Sequence, residues 1–222
     1  FFILPGMISL FAIKFLGNVD WLGESSTIEL LFRLVGMVMI AVGGIWTAFQ
    51  RHIGRILAYA MMFEIGLSFL FIQYQWSSSS IQTGETSLTS FYLLILFSRG
   101  LILGIWALAL SVFYNHHSDM KFRTIRGLGR HFPFATSALI LANLSLAGFP
   151  LLAGFPIRLA MIDALASVDP FAAIWVLLGT AGLVIGALRT LTALITGGND
   201  EPWKINENLP ARYLLFIGVV AL

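Results

Sequence analysis

No cysteine occurs anywhere in the 222 residues. That excludes disulfides, thiolate metal sites, cysteine-held iron–sulfur clusters and cysteine nucleophiles, while assigning no redox compartment. Charge is nearly as scarce: Asp, Glu, Lys and Arg make up 11% of the chain, against about 25% in an average soluble domain. So few charges cannot furnish a water-facing surface for a chain of this size. No glycine-rich dinucleotide fingerprint follows a strand-like run. The histidines, His52, His116, His117 and His131, lie in loops or at helix ends and do not face one another in mid-span. The adjacent pair His116 and His117 supplies neither the fixed geometry nor the supporting hydrogen bonds of a metal site. We therefore expect no metal, no cofactor and no redox centre on this chain.

What is abundant is apolar surface: 58% of residues are hydrophobic and the mean hydropathy is +0.89. Apolar runs recur at roughly 1–16, 28–49, 53–74, 88–114, 134–166, 171–195 and 212–222. A spanning helix needs about 20 residues, so the middle five are complete and the outer two are truncated. The pattern predicts an all-α fold, a polytopic transmembrane helix bundle of about seven spans, forming a single transmembrane domain over 1–222. Because both ends fall inside apolar runs, we expect a piece of a longer polypeptide. The loops at 51–55 (Arg51, His52, Arg55) and 115–131 (Lys121, Arg123, Arg126, Arg130) are basic, whereas the opposite loops carry Asp20, Glu24, Glu85 and Asp169. The positive-inside rule then puts both basic loops on the cytoplasmic or equivalent side. That topological role accounts for the basic charge, and no nucleic-acid partner is expected.

The fifth run is the one interrupted. Within NLSLAGFPLLAGFPIRLAMID, residues 143–163, the sequence places Gly148, Pro150, Gly154 and Pro156 inside an apolar stretch, with Arg158 just beyond. Each proline lacks an amide hydrogen and its ring clashes with the carbonyl four residues back. Pro150 should free the backbone near Leu146, and Pro156 that near Leu152. A helix broken inside hydrocarbon survives only where protein or enclosed water takes over the freed groups. We expect a discontinuous helix broken near 150–156, its break facing a polar interior lined by Asn143, Ser145, Gly148, Pro150, Gly154 and Pro156.

Three charges fall well inside spans: Glu64 and Arg99 near the middle of theirs, and Arg158 just past the helix break. Each would cost about 2.5–3.5 kcal/mol at the centre of a span on insertion scales, so all three should turn inward. On its own helix face Arg99 meets Ile95, Leu96, Ile102 and Leu103, so its counter-charge has to come from another span. Glu64, flanked by Ala60, Met61 and Ser68, is the natural partner. Arg158 finds only Asp163 nearby, five residues on and poorly placed. These three residues are the candidate central charges of a polar path across the bilayer. A buried ion pair that only fixes helix packing is the competing reading. Arg189 and Arg55, near span ends, are read as structural.

At this point two stretches resemble a known family. FQRHIGRILAYAMMFEIG, residues 49–66, looks like a segment of the antiporter-like membrane subunits of respiratory complex I (NADH:quinone oxidoreductase). Those subunits are related to Mrp-type antiporters and membrane-bound hydrogenases. SLAGFPLLAGFPIR, residues 145–158, is similar to the family's broken helix. The resemblance covers nearly the whole chain and falls in the family's carboxyl-terminal half. It implies a non-catalytic, membrane-arm subunit of a redox-driven translocase that moves protons, or sodium, along a line of charged residues. NADH and quinone would bind elsewhere in the assembly, with other membrane-arm subunits and the lipid bilayer as partners. The membrane would be a bacterial plasma membrane, a mitochondrial inner membrane or a thylakoid.

The carry-over is uneven. Arg158 falls where the family places a lysine or glutamate eight residues after the helix-breaking proline, Arg99 where many members keep a lysine, and Glu64 where many keep a histidine. Near Gly6 a family lysine is missing. Lysine sheds its proton when burial lowers its pKa, whereas arginine stays protonated in proteins. The resemblance thus implies a path whose own proton relay is altered. A stand-alone cation/proton antiporter and a structural, non-pumping membrane subunit remain the alternatives.

Overall fold

The computed structural model describes residues 11, 15, 26–77, 85–116, 119–152, 154–196 and 207–222. Among them the chain forms eight helices: α1 (Ser26–Phe49), α2 (Ile53–Ser77), α3 (Glu85–Tyr114), α4 (Leu128–His131), α5 (Pro133–Leu146), α6 (Gly154–Val168), α7 (Pro170–Ile195) and α8 (Leu209–Ala221). The fold is the all-α bundle expected from the apolar runs. Four helices, α1, α2, α3 and α7, are long and apolar enough to cross a membrane. The interrupted fifth run is two short helices, α5 and α6, and α8 is a shorter apolar helix. Of the first run, only Phe11 and Phe15 belong to the described residues, so that expected span lies outside them.

α1 packs along both α2 and α7, while α5 is wedged among α3, α7 and α8. The α1–α7 seam is made by missing side chains. A Cβ on Gly44 would collide with the Gly179 backbone, and one on Gly182 with the Gly44 carbonyl. Small residues let helix backbones approach where lipid supplies no hydrophobic drive to pack. One end of this seam is tied by charge: Arg33 of α1 meets the Asp169 carboxylate at 2.6 Å. Asp169 is also the N-cap of α7, accepting from the Ala172 amide at 3.2 Å and satisfying one of the helix's orphan donors.

At the other end the two basic loops are joined. Ile53 N–H donates to the Met120 carbonyl (3.1 Å) and Phe122 N–H to the Arg51 carbonyl (2.9 Å), with an antiparallel bridge between His52 and Lys121. Arg51, Arg55, Lys121, Arg123 and Arg126 are all exposed there, so one face of the bundle carries the base. His52 accepts the Gly54 amide through Nδ1 at 3.1 Å, and the His116 ring packs on Phe132. His117 lies outside the described residues.

Candidate functional site

The site grows from the helix break. α5 ends in paired turn hydrogen bonds: Gly148 N–H reaches the Ser145 carbonyl (3.0 Å) and Phe149 N–H the Leu144 carbonyl (2.9 Å). Gly148 takes a left-handed φ of 71°, which glycine adopts without a Cβ penalty. It serves a second need as well, since a Cβ there would sit 2.7 Å from Arg158 Cγ. Pro150 then follows and cannot donate to the Leu146 carbonyl. α6 restarts at Gly154, whose amide donates to Ser145 Oγ across the break at 3.3 Å, and the Leu152 carbonyl is taken by Phe155 N–H at 2.9 Å.

Arg158, in the second turn of α6, closes the break. Its Nη2 donates to the freed Leu146 carbonyl and also to Glu64 Oε1. A cation at the carboxyl end of α5 is also favoured by the helix dipole. From the other side, Arg99 of α3 places Nε 2.6 Å from Glu64 Oε2. Its Nη1 donates to Ser68 Oγ at 2.8 Å and its Nη2 to the Glu64 carbonyl at 3.3 Å. The Ser68 hydroxyl in turn donates to that same carbonyl at 3.0 Å. Glu64, Ser68 and Arg158 are buried, at 3%, 2% and 7% exposure, and the Arg158 guanidinium lies over the Phe63 ring, 5.0 Å from its centroid. One carboxylate is thus held between two guanidiniums supplied by two different helices.

Beside the clamp is a cavity of about 30 Å³ bordered by Glu64, Arg99, Arg158, Ser145, Gly154 and Met161, with apolar neighbours. Such a space admits a water-sized species. The structure narrows the expected lining. Ser145 and Gly154 border the cavity, but Pro150 and Pro156 are exposed and shape the break from its outer side. Gly148 backs Arg158 without bordering the cavity. Asn143 is buried one turn earlier, where its Oδ1 accepts from Trp106 Nε1 at 3.1 Å. It fastens α5 to α3 and does not border the cavity.

Sequence reasoning paired Glu64 with Arg99 and left Arg158 without a partner. What it missed is that the break swings Arg158 back toward both the Leu146 carbonyl and Glu64. The signal was present: a carbonyl freed by Pro150 needs a donor, and the first long donor after the break is Arg158. The Arg33–Asp169 and Trp106–Asn143 contacts were also missed, because helices distant in sequence bring them together. Arg189, read as an interface residue, is half-buried and donates to the Ala48 carbonyl at the end of α1, a structural tie between α1 and α7.

Comparison with known proteins agrees with this architecture. The family model described as "NADH:quinone oxidoreductase/Mrp antiporter, TM" matches residues 4–186. The chain is 26% identical over 171 residues to NADH-ubiquinone oxidoreductase chain 5 of Neurospora crassa, covering 77% of this chain and 22% of that one. It is 30% identical over 180 residues to the chloroplastic NAD(P)H-quinone oxidoreductase subunit 5 of Aethionema grandiflorum, covering 81% and 24% respectively. With NADH-quinone oxidoreductase subunit N of Buchnera aphidicola it shares 30% identity over 158 residues, covering 68% and 31%. The chain therefore spans between a fifth and a third of the length of these relatives. In structure it is similar to a chain of respiratory complex I from Thermus thermophilus with bound NADH, with a TM-score of 0.71 at 17% identity, covering 88% of this chain and 39% of that one. At that identity the match carries the fold.

Proposed function

The chain belongs to the NADH:quinone oxidoreductase/Mrp antiporter transmembrane family, and on that premise we propose that it is part of a proton-translocating membrane-arm subunit of a complex I-type oxidoreductase. The observation that carries this reading is the clamp itself: a buried carboxylate, Glu64, and a buried guanidinium, Arg158, meeting the half-buried Arg99 at a broken helix inside an apolar bundle. A charge kept inside a membrane bundle is expensive, and its retention marks an ion path by default. NADH and quinone bind on other chains of the assembly, the redox reaction takes place there, and other membrane-arm subunits are the partners. Protons are the transported ion in this reading, with sodium as the alternative. The joined basic loops face the cytoplasm, matrix or stroma.

Within that role the relay is altered. Arg99 and Arg158 stay protonated in proteins, so they set the field of the path and do not pass a proton along it. Glu64 accepts from both and acts as their counter-ion. The same observation supports a second reading, in which the subunit is a non-pumping structural unit of the membrane arm. In the assembled complex reconstituted in liposomes, Glu64→Gln should translocate nearly as many protons per electron as the parent. A large drop with electron transfer intact would make Glu64 a working relay. Ion exchange by the isolated full-length protein would instead favour a stand-alone antiporter.

A further inference from the structure

We propose that the cavity beside the Glu64 clamp is a binding site for a small monovalent anion of chloride size. The inference does not depend on whether the chain moves protons. It starts from charge: the cluster holds two guanidiniums and one carboxylate, leaving one positive charge in excess in a buried place. An uncompensated buried charge is strongly unfavourable, and a complete set of partners removes most of that penalty.

The second observation is a donor without a protein acceptor. Among the described residues, Arg158 Nη1 is buried and has no hydrogen-bond partner, although Nη2 of the same guanidinium serves both Glu64 and Leu146. A buried donor left unpaired costs free energy that a bound acceptor recovers. The third is the shape and lining of the space. Its volume, about 30 Å³, exceeds the ~10–15 Å³ that one water requires and leaves room for a monatomic anion. Both arginines border it, and so does Ser145. The Ser145 oxygen already accepts from the Gly154 amide, which leaves its hydroxyl hydrogen to donate into the cavity. A water there would satisfy the donors and leave the charge; a monovalent anion does both. Glu64 also borders the cavity, but its Oε1 and Oε2 are already engaged by Arg158 and Arg99, and Met161, Leu67 and Ile157 add no second carboxylate to coordinate a cation.

The test uses the purified full-length protein in detergent, with chloride exchanged for gluconate at constant ionic strength and pH. Thermal unfolding is followed as chloride is raised, and bromide is then located by anomalous scattering. The unfolding midpoint should rise saturably with chloride and not with gluconate, and bromide should appear against Arg158 and Ser145. Glu64→Gln raises the excess positive charge by one and should tighten the apparent chloride affinity at least threefold. Arg158→Gln should abolish the saturable rise. Should that variant fail to fold, Ser145→Val, which fills the cavity and removes a donor while keeping every charge, should weaken the affinity at least tenfold. A parent protein whose midpoint ignores chloride overturns the proposal, as does an affinity unchanged in both Glu64→Gln and Ser145→Val.

Discussion

Where α1 meets α7 the backbones touch because side chains are missing; where α2 meets α3 and α6 the helices are joined by side chains that carry charge. The first seam, with Gly44 against Gly179 and Gly182, carries no charged group in its middle. The second, with Glu64 between Arg99 and Arg158, keeps its helices far enough apart for a cavity. Both use the low-dielectric interior, in opposite ways. Close backbone contact gains dispersion energy without any charged group, whereas in the ion cluster the cost of taking charge out of water is offset through the one carboxylate that both guanidiniums share. Together they divide the bundle into a rigid wall and a polar seam, and the polar seam is the one that contains the helix break.

Breaking the clamp should produce the largest effect. Arg158→Gln leaves Glu64 with one arginine and the Leu146 carbonyl with a weaker donor, and should cost about 3–5 kcal/mol of unfolding free energy in detergent. Leucine at Gly44 attacks the other seam by forcing α1 and α7 apart. It should cost about 1–3 kcal/mol, read by the same unfolding measurement, while leaving protons per electron unchanged in assembled complex.

Smaller effects lie at the ends of the bundle. Glu207 accepts the Ala135 amide at 2.8 Å, capping the first turn of α5 from a distant part of the chain. Glu207→Ala should cost about 1 kcal/mol. Burial holds the Glu207 carboxyl above its usual range, against the opposing pull of the α5 amides and Arg212. The folded state therefore keeps this proton more tightly than the unfolded state, and the stability Glu207 contributes is fullest at low pH and declines as pH rises through its folded pKa. Glu207→Gln should flatten that part of the pH profile of unfolding. The smallest effect belongs to the exposed pair of Asp119 and Lys121, 3.1 Å apart. Asp119→Ala should leave the unfolding midpoint at neutral pH essentially unchanged, because water and salt screen an exposed pair.

Much of this was legible in the chain because membrane burial makes its own rules conspicuous. Apolar runs located α1, α2, α3 and α7, and Pro150 and Pro156 marked the break. The cost of charge in hydrocarbon singled out Glu64, Arg99 and Arg158. What stayed hidden was geometry that only the break creates. A continuous helix would carry Arg158 about 18 Å along the axis from Leu146, and the left-handed Gly148 and the restart at Gly154 are what bring it back over Leu146. The role of Asn143 was hidden for a related reason, since its partner Trp106 lies on another helix and leaves no trace in local spacing. The glycine seam was equally silent, because a glycine in an apolar helix does not say which helix it faces.

The central physical claim is that Glu64 and Arg158 are direct partners across the break, and a double-mutant cycle tests it most directly. Unfolding free energies of Glu64→Gln, Arg158→Gln and the double variant, measured in the full-length protein, should show a coupling of at least about 1.5 kcal/mol, the pair being less costly to lose together than the sum of the single losses. Single costs that add within about 0.5 kcal/mol would mean the two side chains do not meet, and the clamp would have to be given up.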